Sequence, residues 1–320
     1  MDASGLILLA LVIQAVRISV PYAFAALGGT FSERGGVINI GLEGILLTSA
    51  FVCVIANWYT FQYIHDPAVT AWLAPWLGVL AALISGLILG LVLALATVTF
   101  KADQIICGLA INIFAMGFTK FTNDLIFHSA SNSERVLPML QWQISETGPL
   151  SLLNPLLHPL VLLALVIIVC SHIVLFKTPF GLHLRAVGEH PEAADTLGIS
   201  VTRYRYYGVL IGGAIAGLGG AWLAIDQCRF AAGMSAGRGY IALAAMIVGK
   251  WKPWGAVGAC LLFGFAEALQ IKLQATGFTL LPNQIVQMLP YVLTILVLAG
   301  FIGRAIPPAA DGIPYEKEAD

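Results

Sequence analysis

Seven apolar runs, each close to the ~20 residues that a helix needs to cross a bilayer, constrain this chain most. They lie at residues 5–27, 38–56, 76–98, 156–176, 206–225, 255–273 and 284–303, and shorter runs lie at 105–119 and 239–249. The runs are continuous, whereas the strands of a membrane barrel alternate over about ten residues, so helices are favoured. We therefore predict an all-α integral membrane protein, a polytopic helical bundle of about 8–10 transmembrane segments that can include broken or re-entrant helices.

Composition excludes a water-soluble protein. Of the 320 residues, 59% are hydrophobic and 10% are charged, whereas soluble domains carry roughly a quarter charged residues. The start, Met1-Asp2-Ala3-Ser4, lacks the basic segment of a signal peptide, so we expect the first run to be a retained anchor. We predict one transmembrane domain, residues 1–306, and a short polar tail, residues 307–320.

The distribution of lysine and arginine predicts the orientation, because cytoplasmic loops are rich in both. If the loop at about 177–205 is cytoplasmic, alternation of the spans places a further set of cations on the same side. This set is Arg34, Lys101, Lys250, Lys252, Arg304 and Lys317. The external set is then Lys120, Arg135, Arg229 and Arg238. Segment 57–75 contains no lysine or arginine and is predicted to be external, as is the N-terminus.

Motifs of soluble enzymes and metal sites are missing from the sequence. The five cysteines are scattered without metal-ligand spacing. There is no GxxxxGK[ST] phosphate loop, no HExxH and no GxSxG turn. We therefore expect no catalytic residue, no metal and no cofactor in this chain, and we expect it to bind a small molecule and not a nucleic acid.

Two carboxylates, Glu43 and Glu267, lie inside apolar runs. A charge at the bilayer centre costs about 3 kcal/mol or more, so each needs partners or water. Asn39 precedes Glu43 by four residues and is expected on the same helical face, while Gly41 and Gly44 permit close backbone approach. Such residues either line a substrate path or form a structural hydrogen-bond network between helices. The candidates for the path are Asn39, Glu43, Asn112, Glu267 and Gln270.

Two segments begin alike and continue as apolar stretches rich in small residues: Arg34–Ile40, RGGVINI, and Arg238–Leu243, RGYIAL. Paired short or glycine-interrupted segments indicate broken helices at a transport path, although a similarity this slight also arises by coincidence. A second pattern of small residues at every fourth position predicts close helix packing. It comprises Gly208, Gly212, Ala216 and Gly220, with a shorter instance at Gly86 and Gly90.

A compact polar stretch, GLHLRAVGEHPEAADTLG at residues 181–198, separates two of the long apolar runs. Pro191 suits the first turn of a helix and Gly198 the position just past its end, which predicts a helix of about two turns. A helix that short is marginal in water and needs a packing partner. Ala194 and Leu197, three residues apart, offer it a small apolar face. The stretch is therefore predicted to dock onto another protein.

Three stretches together resemble the permease subunits of ABC importers in the branched-chain amino acid, ribose and nucleoside superfamily, in particular the nucleoside or simple-sugar permeases. The stretches are FSERGGVINIGLEGILL, GLHLRAVGEHPEAADTLGISVTRYRYYGVLIGGAIAGLGGAW and GRGYIALAAMIVGKWKPWGA. The resemblance implies that the loop at 177–205 is a coupling loop, whose coupling helix sits in a groove of the cytoplasmic ATPase. The residues implied are Gly188, Glu189, His190, Pro191, Glu192, Ala193, Ala194, Asp195, Leu197 and Gly198.

The same resemblance implies the partners and the substrate. The chain would work in a bacterial-type cytoplasmic membrane with an ABC ATPase subunit that binds ATP, a second related permease and an extracytoplasmic substrate-binding protein. The expected substrate is a nucleoside, and the alternative is a simple sugar such as a pentose. An ion-driven secondary transporter would instead need titratable residues that face one another in the membrane, and a lipid-modifying enzyme would need a catalytic group near an interface. Co-purification with an ATPase subunit separates these classes.

Overall fold

The computed structural model describes residues 3–144, 149–275, 282, 285, 288–296 and 305–316. Seven of the described helices are long and apolar enough to cross a membrane, which confirms a multi-pass helical protein. The helices are α1 (Ala3–Arg34), α2 (Leu42–Tyr63), α3 (Pro67–Ala94), α4 (Gln104–Phe127), α5 (Pro159–Lys177), α6 (Pro179–Glu189), α7 (Pro191–Thr196), α8 (Val201–Gln227), α9 (Arg238–Val248), α10 (Pro253–Ala275) and α11 (Leu289–Leu296). Half of the predicted run 284–303 lies outside the described residues, so the total of 8–10 spans stays a prediction.

Helix α4 is longer than the apolar run at 105–119 that predicted it. It begins where the Asp103 carboxylate accepts the N–H groups of Ile105 and Ile106, at 2.9 and 3.0 Å. It continues through polar residues because their side chains bond to nearby backbone: the Thr119 hydroxyl donates to the Ala115 carbonyl at 2.7 Å. The helix is long and apolar enough to be a candidate membrane span, although its continuous apolar run is shorter than the others.

Helix α8 lies at the centre of the bundle and packs against α1, α2 and α3. A Cβ added at Gly212 would lie 2.4 Å from the carbonyl oxygen of Gly28 on α1. One added at Gly213 would lie equally close to that of Gly86 on α3. These distances leave no room for a side chain, so the backbones touch, and the close packing predicted from the glycine spacing is confirmed.

Helix α9 is a short helix that approaches the centre of the bundle from one end. Its 11 residues span about 16 Å, roughly half of a bilayer core about 30 Å thick. The chain reaches it through the irregular segment 228–237, in which Phe230 is fully buried. The short apolar segment predicted at 239–249 is therefore a half-length helix. Arg238, which the sequence placed on the external side, is the first residue of α9, and the side of the membrane on which it lies stays a prediction.

Cations that the sequence placed on one side of the membrane gather at one end of the bundle. The Arg34 guanidinium lies 3.7 Å from the Glu189 carboxylate in the coupling loop and 3.3 Å from the Lys250 carbonyl oxygen. Lys101 pairs at 2.7 Å with Glu316 near the C-terminus. A shared side for Arg34, Lys101, Lys250 and the coupling loop is therefore confirmed, and its identity as the cytoplasmic side stays a prediction. Arg304 and Lys317 lie outside the described residues.

Candidate functional site

Glu43, in the first turn of α2, caps the N-terminus of α9 with its carboxylate. One oxygen of its carboxylate accepts the backbone N–H of Gly237 at 2.8 Å, and the other accepts that of Gly239 at 2.7 Å. The first N–H groups of a helix have no partner within it and carry a partial positive charge, so an anion is stabilised there. This explains how a carboxylate is accommodated inside an apolar segment.

Asn112, on α4, forms hydrogen bonds with both the start of α2 and the start of α9. Its Oδ1 accepts the N–H of Gly44 at 2.7 Å, and its Nδ2 donates to the Ile40 carbonyl and the Tyr240 hydroxyl, both at 3.0 Å. A Cβ at Gly44 would lie 2.9 Å from the Asn112 Cα, so the glycine allows this approach, as the sequence predicted. The two segments that begin alike in sequence, before α2 and at the start of α9, therefore meet at Glu43 and Asn112.

Glu267, on α10, is paired across the bundle with Arg238, the first residue of α9. Their charged groups lie 2.9 Å apart, and the second carboxylate oxygen of Glu267 accepts the hydroxyl of Tyr22 on α1. Both charged side chains are largely buried, at 21% and 18% exposure. An ion pair with a further hydrogen bond is the arrangement in which buried charges persist. We define the polar network as Glu43, Asn112, Arg238, Glu267 and Tyr22.

A cavity of about 270 Å³ lies beside the Arg238–Glu267 pair, between α1, α8, α9 and α10. A second ion pair, Arg17 with Asp226, contributes to its wall. Apolar side chains of Ile18 and Leu223 line it as well. The cavity thus offers paired donors and acceptors with formal charges balanced, next to apolar surface.

Two of the predicted path residues are not part of this network. Asn39 precedes α2, which begins at Leu42, so the prediction that Asn39 and Glu43 share a helical face was wrong. Both polar atoms of the Asn39 amide are fully buried and have no partner among the described residues. Gln270 lies one turn beyond Glu267 on α10, is half-buried, and is not among the residues that line the cavity.

Sequence reasoning missed Arg238, Tyr22 and the Arg17–Asp226 pair. Arg238 begins an apolar segment between two glycines, which is a detectable signal for a charged residue at a helix start. Arg17 was visible as a cation inside the first apolar run. Their partners are more than 25 residues away in every case, so the pairing was not readable from local sequence. Among the described residues, no group of three His, Cys, Asp or Glu side chains is placed to hold a metal ion.

The coupling loop folds into two helices instead of one. Gly188 and Glu189 end α6, His190 separates the helices, and α7 runs from Pro191 to Thr196. Pro191 is the first residue of α7, as predicted, and Gly198 adopts φ +80° just past its end. Gly188 lies against α1, because a Cβ there would be 2.3 Å from the Arg34 carbonyl oxygen. Glu192 and Ala193 are exposed on α7, and Asp195 is half-buried.

Ala194 and Leu197 point in different directions. Ala194 is 2% exposed and packs in a cluster with Val187 of α6 and Val201 of α8, whereas Leu197 is 80% exposed. The prediction that these two residues form one exposed apolar face was therefore wrong. Ala194 holds α7 onto the chain itself, and Leu197 is the apolar side chain available for a partner.

Comparison with known proteins identifies transport permeases as relatives of this chain. Residues 11–298 match the family described as branched-chain amino acid transport system / permease component. The chain is 43% identical to the guanosine ABC transporter permease protein NupQ of Bacillus subtilis (strain 168), over 97% of this chain and 98% of that protein. It is 31% identical to the putative glucose ABC transporter permease protein TsgC13 of Haloferax volcanii, over 92% and 94% of the two chains.

A second Bacillus subtilis protein, the guanosine ABC transporter permease protein NupP, is 26% identical over 92% of this chain and 82% of its own length. No solved structure matches. The family match covers most of the chain, including the coupling loop and every residue of the polar network. The chain therefore belongs to the branched-chain amino acid transport system permease family and is a permease component of an ABC transporter.

Proposed function

We propose that this chain is one of two permeases of an ABC importer for nucleosides, and that its substrate path runs along the polar network at the start of α9. The observation that carries the proposal is that Glu43, Asn112 and Glu267 all bond to the start of one half-length helix, and that a cavity lies beside the Arg238–Glu267 pair. Irregular backbone within a membrane is tolerated where it lines a cavity or is buried in protein. Phe230, Met234 and Ser235 of segment 228–237 are buried in protein, and Arg238 at the start of α9 lines the cavity.

An uncharged polar solute suits this lining. Each carboxylate of the network is already balanced, Glu267 by Arg238 and Glu43 by backbone N–H groups. The lining therefore presents donors and acceptors without a surplus cation that would retain a phosphorylated compound. Among such solutes, a nucleoside is favoured because the 43%-identical relative is named for guanosine. A simple sugar is the alternative, since a 31%-identical relative is named for glucose.

The geometry argues against an ion-driven transporter. Such a protein needs titratable groups that face one another across a path and exchange protons. Glu43 and Glu267 have separate partners: Glu43 accepts the N–H groups of Gly237 and Gly239, and Glu267 pairs with Arg238. Transport is therefore expected to depend on ATP hydrolysed by a partner. As a permease component, this chain is not itself an enzyme.

The proposed assembly has three further proteins in a bacterial cytoplasmic membrane. An ATPase docks on the coupling helix, residues 188–198. A second, related permease is expected because NupQ and NupP are both named as guanosine permeases in one organism. An extracytoplasmic binding protein delivers the solute. The ATPase drives the cycle by preferring one permease conformation, since a partner that binds both equally shifts nothing.

The proposal is tested by uptake of labelled guanosine in cells with and without this chain. Unlabelled nucleosides should compete with the label, and an excess of ribose or glucose should not. Stronger competition by the sugars would transfer the assignment to a sugar importer. Uptake that persists when ATP is depleted but ceases when the proton gradient is collapsed would reject the ABC mechanism for this chain.

A further inference from the structure

The C-terminal segment 309–316 lies directly against the coupling loop. The N–H of Ala310 donates to the carbonyl oxygen of Gly188 at 2.9 Å, and that of Ala309 donates to the Glu189 carboxylate at 3.2 Å. Gly188 and Glu189 are the last residues of α6 and the first two residues of the coupling helix, residues 188–198. The tail was predicted to be too short to fold by itself, and it is instead ordered by contacts with the body of the chain.

The second half of the segment is held as firmly as the first. Arg205, near the start of α8, donates to the carbonyl oxygen of Ile313 at 2.8 Å. Tyr315 packs on the cluster of Val187, Ala194 and Val201 that secures α7. Segment 309–316 is therefore bound to the end of α6 through Ala309 and Ala310, and to the cluster that packs α7 against α6 and α8 through Tyr315.

Exposed apolar side chains lie on this end of the molecule in segments outside the spans. Leu197 is 80% exposed and Ile313 is 57% exposed. Ile313 is three residues from Ala310 and two from Tyr315, both of which contact the coupling loop, so it lies within about 10 Å of that loop. Leu197 follows Ala194, which packs in the same cluster as Tyr315. Leu197 and Ile313 are thus exposed apolar side chains on two segments that pack on one cluster, and exposed apolar surface outside the membrane is typical of a protein contact.

We propose that the ATPase-docking surface extends from the coupling helix onto segment 309–316, with Ile313 as a second apolar contact beside Leu197. This inference rests on the proposed function, because it takes the coupling helix as the ATPase contact. The ATPase is the expected occupant because the segment is continuous with that helix.

The test uses the complete transporter, purified through a tag on this permease. Ile313→Asp should lower the amount of ATPase that co-purifies by about tenfold, since a charge in a desolvated apolar contact is costly. The matched control is Ile144→Asp, because Ile144 is the same residue type with the same 57% exposure in the segment between α4 and α5. A second variant ends the chain after Pro308 and removes the whole segment. Membrane insertion and association with the second permease are measured for every variant.

Four outcomes decide the inference. Loss of ATPase from Ile313→Asp and from the shortened chain, with normal ATPase in Ile144→Asp, supports it. Normal ATPase in Ile313→Asp together with loss in Leu197→Asp rejects the extension while preserving the coupling helix. Normal ATPase in Leu197→Asp as well rejects the coupling assignment in the proposed function. Loss of the second permease or of membrane association from Ile313→Asp, with ATPase retained, shows a different occupant and overturns the inference.

Discussion

The N–H of Gly239 on α9 donates to the carboxylate of Glu43 on α2 at 2.7 Å, joining two helix starts that are 196 residues apart in sequence. The contact depends on the absence of a side chain, because a Cβ at Gly239 would lie 2.4 Å from the Glu43 backbone nitrogen. The two helices therefore fit together as backbone against backbone with one carboxylate between them. Variants on either side of this contact test its role in transport.

Two substitutions of Glu43 distinguish the effect of its charge from the effect of its hydrogen bonds. Glu43→Ala leaves the N–H groups of Gly237 and Gly239 without their acceptor, which costs about 1–3 kcal/mol for each buried group. Glu43→Gln retains an acceptor oxygen. We expect nucleoside uptake to fall at least tenfold in Glu43→Ala and less in Glu43→Gln, with both assembling normally. Asn39→Leu should also lower uptake and leave assembly intact. Loss of folded protein without a separate transport defect would mean that these residues are structural.

Gly239→Ala should displace α9, since the added Cβ meets backbone atoms that cannot rotate away. We expect uptake to fall by more than tenfold while the protein remains in the membrane. Gly258→Ala on α10 is the control, because a Cβ there meets nothing within 4 Å. Uptake by the two variants is compared at equal expression. Equal uptake in both would show that the contact between α2 and α9 is dispensable.

Gly312→Ala should loosen the C-terminal segment. Gly312 adopts φ +79°, and a Cβ there would lie 2.7 Å from the Ile38 side chain. Gly233→Ala is matched to it, since Gly233 has φ +72° but no atom within 4 Å of the added Cβ. Backbone strain is thus common to both variants, and the contact differs. We expect lower nucleoside-stimulated ATP hydrolysis in Gly312→Ala than in Gly233→Ala, and identical rates would contradict the docked position of the segment.

Docking of the segment should weaken as the pH rises. Burial raises the pKa of the Asp311 carboxyl from 3.8 to about 7, against the opposing effect of the Arg205 guanidinium. Glu33 and Tyr315 are the other titratable groups around it. Because the docked state favours the protonated acid, its stability decreases between about pH 4 and pH 7 and is constant above. A spin label on a cysteine at position 313 should therefore become more mobile at pH 8 than at pH 5.5.

Asp311→Asn is the control for that measurement, because an amide is neutral at every pH. Its label should be equally immobile at both pH values. A pH response that survives in Asp311→Asn would assign the titration to another group.

Orientation is measured by labelling single cysteines with a membrane-impermeant reagent in a variant without the five native cysteines. Thr196 and Ala68 are exposed sites at opposite ends of the bundle. A cysteine at 68 should react in intact cells, whereas a cysteine at 196 should react only after the cells are permeabilised. Thr70 is unsuitable because it is buried and bonded to the Ile64 carbonyl. The reverse labelling pattern would invert the predicted topology.

Local signals in the sequence were sufficient for six of the seven long helices, for the boundaries of α7 and for the close packing of α8. Pro191 and Gly198 determine the start and end of α7 through the backbone conformation of their own turn. The spacing of Gly208 and Gly212 predicts which face of α8 allows another backbone to approach. Signals that depend on distant partners were not readable. The side on which Ala194 packs depends on Val201 and Tyr315, and the environment of Arg238 depends on Glu267. The helical spacing of Asn39 and Glu43 misled because α2 starts between them.

The glycine contacts of α8 also limit how this permease can move. Where Gly212 meets Gly28 and Gly213 meets Gly86, no side chains lie between the helices to change rotamer and accommodate a new angle. Packed interiors of this kind resist gradual deformation. We therefore expect α1, α3 and α8 to travel as a single solid body during the transport cycle. In the proposed assembly, opening toward either side of the membrane would then arise where this body slides or tilts against the second permease.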